Sequence, residues 1–314
     1  IIGGGPGGLS AAWHLRLLGH GATIIEADKE VGGKLRQVIP TDRLPAESLN
    51  GEIQRIKDMG VAIQTDTNVD KAMFEKLQKD FDAVVIASGA HNPVVIPFPG
   101  HERLVKGLEF LKAVNNGENP PIGEKVVVIG AGNAGMDVCL GAYAMGAKQV
   151  TAIDIQRPAA FKKEIDHFEK LGGKIEWPVF TEKVTEKGLH TKDGRLLEAD
   201  TVIISIGERP DLSFIPREWL TGRGMADIDE CRQLVKAPGV FAIGDTTEPG
   251  LLTHAIGHGR ETAEYIDEMF AGNELVPKKK LPQISQECLS KELFRPHNRS
   301  RFNFTAATRE AGRC

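Results

Sequence analysis

Two stretches of this chain are built to one plan, and that repetition limits its fold more than any other feature. IIGGGPGGLSAAWHL occupies residues 1–15 and VVVIGAGNAGMDVCL residues 126–140. Each has a short β-branched run, three glycines in a GxGxxG frame, and a continuation with apolar residues at helical spacing. In the first corner the glycines are Gly3, Gly5 and Gly8, with Pro6 and Gly7 between them; the helix is expected to continue to Leu18 and stop at Gly19-His20-Gly21. In the second they are Gly130, Gly132 and Gly135, enclosing Asn133 and Ala134, and Gly146 is the expected stop. A short apolar strand follows each helix and ends on a carboxylate, Glu26 in ATIIEAD and Asp154 in QVTAID.

Each part of such a corner has a physical task. The first glycine permits the tight turn, the second lets backbone approach a pyrophosphate, and the third packs helix on strand. The helix N-terminus offers unpaired N–H donors to the phosphates, and the downstream acid can accept hydrogen bonds from a ribose diol. Strand, helix and acid recur in the same order, so the sequence predicts an α/β fold with two Rossmann-like dinucleotide-binding domains and two bound nucleotides.

Composition agrees. A chain of 314 residues, 41% hydrophobic and 26% charged, is large enough for about two domains with their own cores. Its net charge of −4 provides no basic footprint, so nucleic acid is not an expected partner. No apolar stretch is long enough for a membrane span, and a cytoplasmic protein is expected. Cys139, Cys231, Cys288 and Cys314 lie far apart without a CxxC, which argues against a disulfide scaffold, a redox dithiol or a metal site. Ile1-Ile2 reads as the last part of a buried strand, so the chain is expected to be a piece of a longer one.

Beyond the first acid, further strings carry a family resemblance. Val31-Gly32-Gly33-Lys34-Leu35 and then IPTDRLP, with Arg43, resemble the flavin-binding half of the two-dinucleotide flavoprotein oxidoreductases, and within them the glutamate synthase small (beta) subunit. FDAVVIASGA, with Ser88 and Gly89, is similar to the strand that closes that family's flavin domain. GVFAIGDTTEPGLLTHAIGHGRETAEYI resembles its second flavin segment, where Asp245 after Gly244 would hold the ribityl and pyrophosphate region. There the helix N-terminus near Thr253, His254 and Ala255 would lie beneath the flavin pyrimidine ring. ADTVIISIGERPDL, with Gly207, resembles the end of the family's nicotinamide domain.

The resemblance implies FAD at the first corner and NAD(P)H at the second, with the nicotinamide domain (113–235) inserted in a split FAD domain (1–112 and 236–273). Asp154 favours a free ribose diol and hence NADH, while Arg157 could instead bind a 2′-phosphate. Hydride transfer between the rings is cofactor chemistry, so no catalytic triad is expected; His167 and His190 read as surface residues. The implied function is a reductase module in which NAD(P)H reduces FAD and electrons pass to an iron-sulfur domain or partner subunit. The alternatives are a stand-alone ferredoxin or quinone reductase and a regulatory subunit that holds FAD without turnover. The tail, 274–314, alternates proline, basic and aromatic residues and is expected to form an extended arm, and Cys314 could begin a cluster motif.

Overall fold

The computed structural model describes residues 1–41, 43–278, 284 and 288. It contains two compact units, Ile1–Leu275 and Val276–Cys314. The extended arm and the Cys314 motif expected from the sequence fall on the second unit, almost all of it outside the described residues.

In the first unit the first corner opens with α1 (Pro6–Leu17), which has proline in its first turn, where a missing N–H costs nothing. Its buried face is small: Gly7, Gly8, Ala11 and Ala12, with Leu9 and Leu15. Next come β1 (Thr23–Ile25), α2 (Lys34–Gln37), α3 (Ala46–Asp58), β2 (Ala62–Gln64), α4 (Lys71–Asp80) and β3 (Val84–Ile86). β1 pairs in parallel with β2, and Ile2 bridges to both Ile25 and Ile86, so the opening strand lies between β1 and β3. All three residues of β3 are buried, as a strand covered on both faces requires.

The chain then crosses through β4 (Asn92–Pro93), β5 (Val105–Lys106) and α5 (Gly107–Asn115) into the second corner: β6 (Lys125–Ile129), α6 (Asn133–Ala144) and β7 (Gln149–Ile153). It continues with α7 (Lys162–Lys170), β8 (Lys174–Glu176), a meander of β9 (Thr181–Thr185), β10 (Gly188–Thr191) and β11 (Leu196–Glu198), and β12 (Thr201–Ile204). A five-stranded sheet in the order β5-β12-β6-β7-β8 results, parallel throughout. Its core holds Val126, Val128, Met136, Cys139 and Phe168, all 2% exposed or less. The chain returns through β13 (Glu208–Arg209), β14 (Gln233–Leu234) and β15 (Ala237–Ala242), where β15 pairs in parallel with β3 and completes the first sheet.

Two stretches pack across the expected seams. Val105–Lys106 forms the edge of the second sheet, while Leu212, Phe214, Ile215 and Leu234 join Ile2, Phe74 and Val84 in the first core. β13 pairs antiparallel with β4, so the outgoing and returning crossings form a two-stranded ribbon. Helix α8 (Leu252–Phe270) lies against α1 at backbone distance. A Cβ on Gly259 would sit 2.4 Å from the Gly7 carbonyl oxygen, and Ser10 Oγ donates to the Ile256 carbonyl at 2.7 Å. Close packing of these small residues fixes where α8 begins.

Candidate dinucleotide cleft

The two corners match in detail. Gly3 N donates to Ile25 O at 2.8 Å, and Gly130 N to Ile153 O at 2.8 Å. Gly3 has φ 101° and Gly130 φ 111°, in the region that favours glycine. The third glycines admit nothing larger, because a Cβ on Gly8 would lie 2.0 Å from Gly3 O and one on Gly135 2.0 Å from Gly130 O. The middle glycines are the opposite case: Cβ atoms on Gly5 and Gly132 would meet nothing within 4 Å. Both are helix N-caps with no side-chain cap, so each helix start is left to a ligand or to water.

The acids are also used alike. Glu26, 8% exposed, accepts from Gly4 N at 2.7 Å through one carboxylate oxygen and from Asp28 N at 2.9 Å through the other. Asp154 accepts from Ala131 N at 2.8 Å and from Gln156 N at 3.1 Å. Each carboxylate ties the glycine loop to the end of the second strand.

One cleft of about 2180 Å³ reaches both corners. Of the residues expected at a flavin, Gly3, Gly5, Pro6, Gly7, Glu26, Gly33, Lys34, Arg43, Ser88, Gly89, Gly244, Asp245, Thr253 and Ala255 line it. From the nicotinamide side Asn133, Ala134 and Gly207 line it. Gly8, Leu35 and His254 do not, nor do Gly130, Gly132, Gly135, Asp154 and Arg157. Gly8 and Gly135 are packing glycines, which accounts for their place behind the wall. His254 is exposed, and its Nδ1 accepts from Leu251 N at 3.4 Å, capping the start of α8. Arg43 turns its guanidinium to Asp137 on α6 and to Glu164, 4.0 Å away on α7.

Glu208 and His91 in the cleft, and His258 beside it, carry no signal in the sequence. Glu208 and Asp245 face Lys34, whose Nζ lies 2.8 Å from Asp245 Oδ2 and 3.5 Å from Glu208 Oε2. Ser88 Oγ and His91 Nδ1 are buried without a protein partner three residues apart on one wall. Burial, with Lys112 and Lys34 adding to it, pushes His91 down to about 4, so it is neutral at pH 7. Behind the Gly244 turn, His258 Nδ1 accepts from Gly244 N at 3.3 Å; burial and then Arg232 push this histidine down to about 4. Only a neutral ring can accept there.

These features fit a pair of dinucleotides. The open faces at Gly5 and Gly132, the uncapped helix starts and the orphaned Ser88 hydroxyl all present donors or space to a diphosphate-bearing ligand. Among the described residues no cluster of His, Cys, Asp and Glu could hold a metal, and no helix is long and apolar enough to cross a membrane.

Comparison with known proteins gives a consistent picture. A family model described as "Pyridine nucleotide-disulphide oxidoreductase" matches residues 1–259. The NADP(+)-dependent formate dehydrogenase subunit beta of Moorella thermoacetica is 34% identical over 304 residues, covering 85% of this chain and 43% of that protein. The NAD-dependent dihydropyrimidine dehydrogenase subunit PreT of Escherichia coli (strain K12) is 30% identical over 290 residues, covering 87% and 68%. The glutamate synthase [NADPH] small chain of Mycobacterium tuberculosis is 31% identical over 332 residues, covering 88% and 67%. Against the first relatives the chain spans well under half of their length, 43% and 38%. Among solved structures, the thioredoxin reductase of T. acidophilum superposes with a TM-score of 0.67 at 20% identity, covering 86% of this chain and 97% of that one, a likeness of fold.

Proposed function

The chain belongs to the pyridine nucleotide-disulphide oxidoreductase family, and from that premise we propose that it is a reductase module that binds FAD at the first corner and NADH at the second and acts in the cytoplasm. The observation that carries the reading is the single cleft lined by Gly5 and Asp245 from one corner's side and by Asn133 and Gly207 from the other's. The bound cofactors would supply hydride chemistry, nicotinamide to flavin. The chain's own part is to bind, orient and exclude water. Gly5 and the start of α1 would take the FAD diphosphate, Glu26 its adenosine ribose, and Asp245 and the start of α8 its ribityl and ring end. Gly132, Asn133 and Ala134 would take the nicotinamide diphosphate. The division into FAD (1–112 and 236–273) and NAD(P) (113–235) domains is part of this reading, with Val105–Lys106 and the stretch from Leu212 to Leu234 packing across the seams.

Electrons leave for an acceptor on another domain or subunit. In support, the curated relatives include subunits of formate dehydrogenase, dihydropyrimidine dehydrogenase and glutamate synthase. An iron-sulfur acceptor is the proposal; Cys139 is 0% exposed, and burial raises its thiol far above the usual range, so it is unsuited to a redox outlet within this unit.

For the nicotinamide, the carboxylate at Asp154 favours NADH, against the exposed Arg157 as the group that could take a 2′-phosphate. The relatives include both NAD- and NADP-dependent proteins. Anaerobic stopped-flow reduction of the FAD-loaded chain is expected to be at least about tenfold faster with NADH than with NADPH at equal concentration, as a carboxylate facing a 2′-phosphate implies. Faster reduction by NADPH would refute the preference.

A further inference from the structure

Lys34 stands at the meeting of three separate stretches of chain. It is the first residue of α2, immediately after Gly33, and a Cβ on Gly33 would lie 3.0 Å from Gly5 Cα, so Lys34 starts beside the first cradle. Its ammonium reaches Asp245 at 2.8 Å and Glu208 at 3.5 Å. The three side chains are 20%, 22% and 17% exposed, so water screens their charges only in part. All three line the common cleft. Two carboxylates therefore meet at the wall between the cradles, with one lysine between them.

A dinucleotide whose ribose sits at Glu26 and whose diphosphate crosses Gly5 must extend its ring end toward Asp245 and the start of α8. Asp245 is tied to that start, since its Oδ1 accepts from Gly250 N at 3.3 Å. His91, on the same wall, adds no charge at pH 7. Asp245 and Glu208 stand against Lys34 here, and Lys112 and Asp28 also act on His91.

We infer that Lys34 is a positioning residue that sets the reduction potential of the bound flavin, its ammonium offsetting the Asp245 and Glu208 carboxylates where the ring gains negative charge on reduction. The inference rests on the FAD reading above. Without Lys34 the two carboxylates would disfavour the added charge, and reduction would become harder. Without the Glu208 charge, Lys34 would act on the ring more strongly and reduction would become easier.

The test uses the full chain loaded with FAD and measures the flavin midpoint potential at pH 7 by equilibration with a reference dye. For Lys34→Met the oxidised-to-reduced equilibrium is expected to move about tenfold toward the oxidised form, about 30 mV more negative for a two-electron couple. For Glu208→Gln the expected shift is of similar size and opposite sign, and Lys34→Arg should stay near the unmutated value. A mere staple between chain segments would behave differently: Lys34→Met and Glu208→Gln both break it, so both would lower the melting temperature and leave the potential unmoved. Unmoved potentials, or shifts of the same sign, overturn the inference. If Lys34→Met loses its flavin, the Glu208→Gln shift alone decides, positive in support and zero or negative against. An unmutated chain that takes up no FAD overturns the FAD reading, and this inference with it; a yellow chain with unmoved potentials overturns this inference alone.

Discussion

At the scale of single residues, the glycines of one motif do different work, and substitution separates their roles. Gly5 has φ −73° and open space where a Cβ would stand, so Gly5→Ala is expected to fold with a melting temperature close to that of the unmutated chain. Its methyl group would occupy the diphosphate's place, and the purified protein should carry little or no flavin. Gly8→Ala drives a Cβ to within 2.0 Å of the Gly3 carbonyl oxygen and is expected to destabilise by about 1–3 kcal/mol or more. Thermal unfolding together with the visible flavin spectrum checks both; a flavin-replete Gly5→Ala protein would remove the first cradle from the account. The spacing of Gly3, Gly5 and Gly8 was legible because each step of a tight turn into a helix restricts residue type. That Glu26 and Asp154 would spend both carboxylate oxygens on backbone N–H groups was not legible, since the same acid at the same place also suits a ribose. His91 and Glu208 carry no periodic or spacing signal at all; only the fold brings them to the cleft wall.

At the scale of elements, α1 and α6 could be read from apolar spacing and glycine stops and the start of α8 from the family resemblance, whereas the β9–β11 meander and the β4–β13 ribbon could not. Short polar strands such as Glu208–Arg209 and Asn92–Pro93 pair across more than a hundred residues, and nothing local announces the partner. The same holds for the stretch from Leu212 to Leu234, which lies in the segment assigned to one domain and packs in the core of the other sheet. The contact of α8 with the Gly244 turn has a consequence for stability. His258 is held near pKa 4 in the fold, and His91 likewise, against an ordinary value of 6.5. Between those values the unfolded chain binds more protons than the folded one, so stability is complete above about pH 6.5 and falls as pH drops toward about 4. Denaturant unfolding at pH 7 and at pH 4.5 is expected to show a loss of about 1–3 kcal/mol, discounted for the partial exposure of both rings. His258→Gln should reduce the loss, and an unchanged pH profile would show that neither ring is buried neutral.

For the whole molecule, two copies of one glycine corner open on one cleft, with the flavin-side sheet completed after the second corner by β15. The repeat itself foretold two nucleotides; the resemblance carried by the strings around Gly33, Ser88 and Asp245 added which nucleotide each would be. Neither could reveal that Lys34, Glu208 and Asp245 converge between the cradles, because they come from three stretches far apart in the chain. The central claim is that a nicotinamide held by the second corner meets a flavin held by the first. Anaerobic single-turnover reduction of the FAD-loaded chain tests it most directly: NADH is expected to bleach the flavin's visible absorption fully and in one phase, at one nucleotide per flavin, with no other protein added. A chain that takes up FAD and stays yellow with both NADH and NADPH would contradict it.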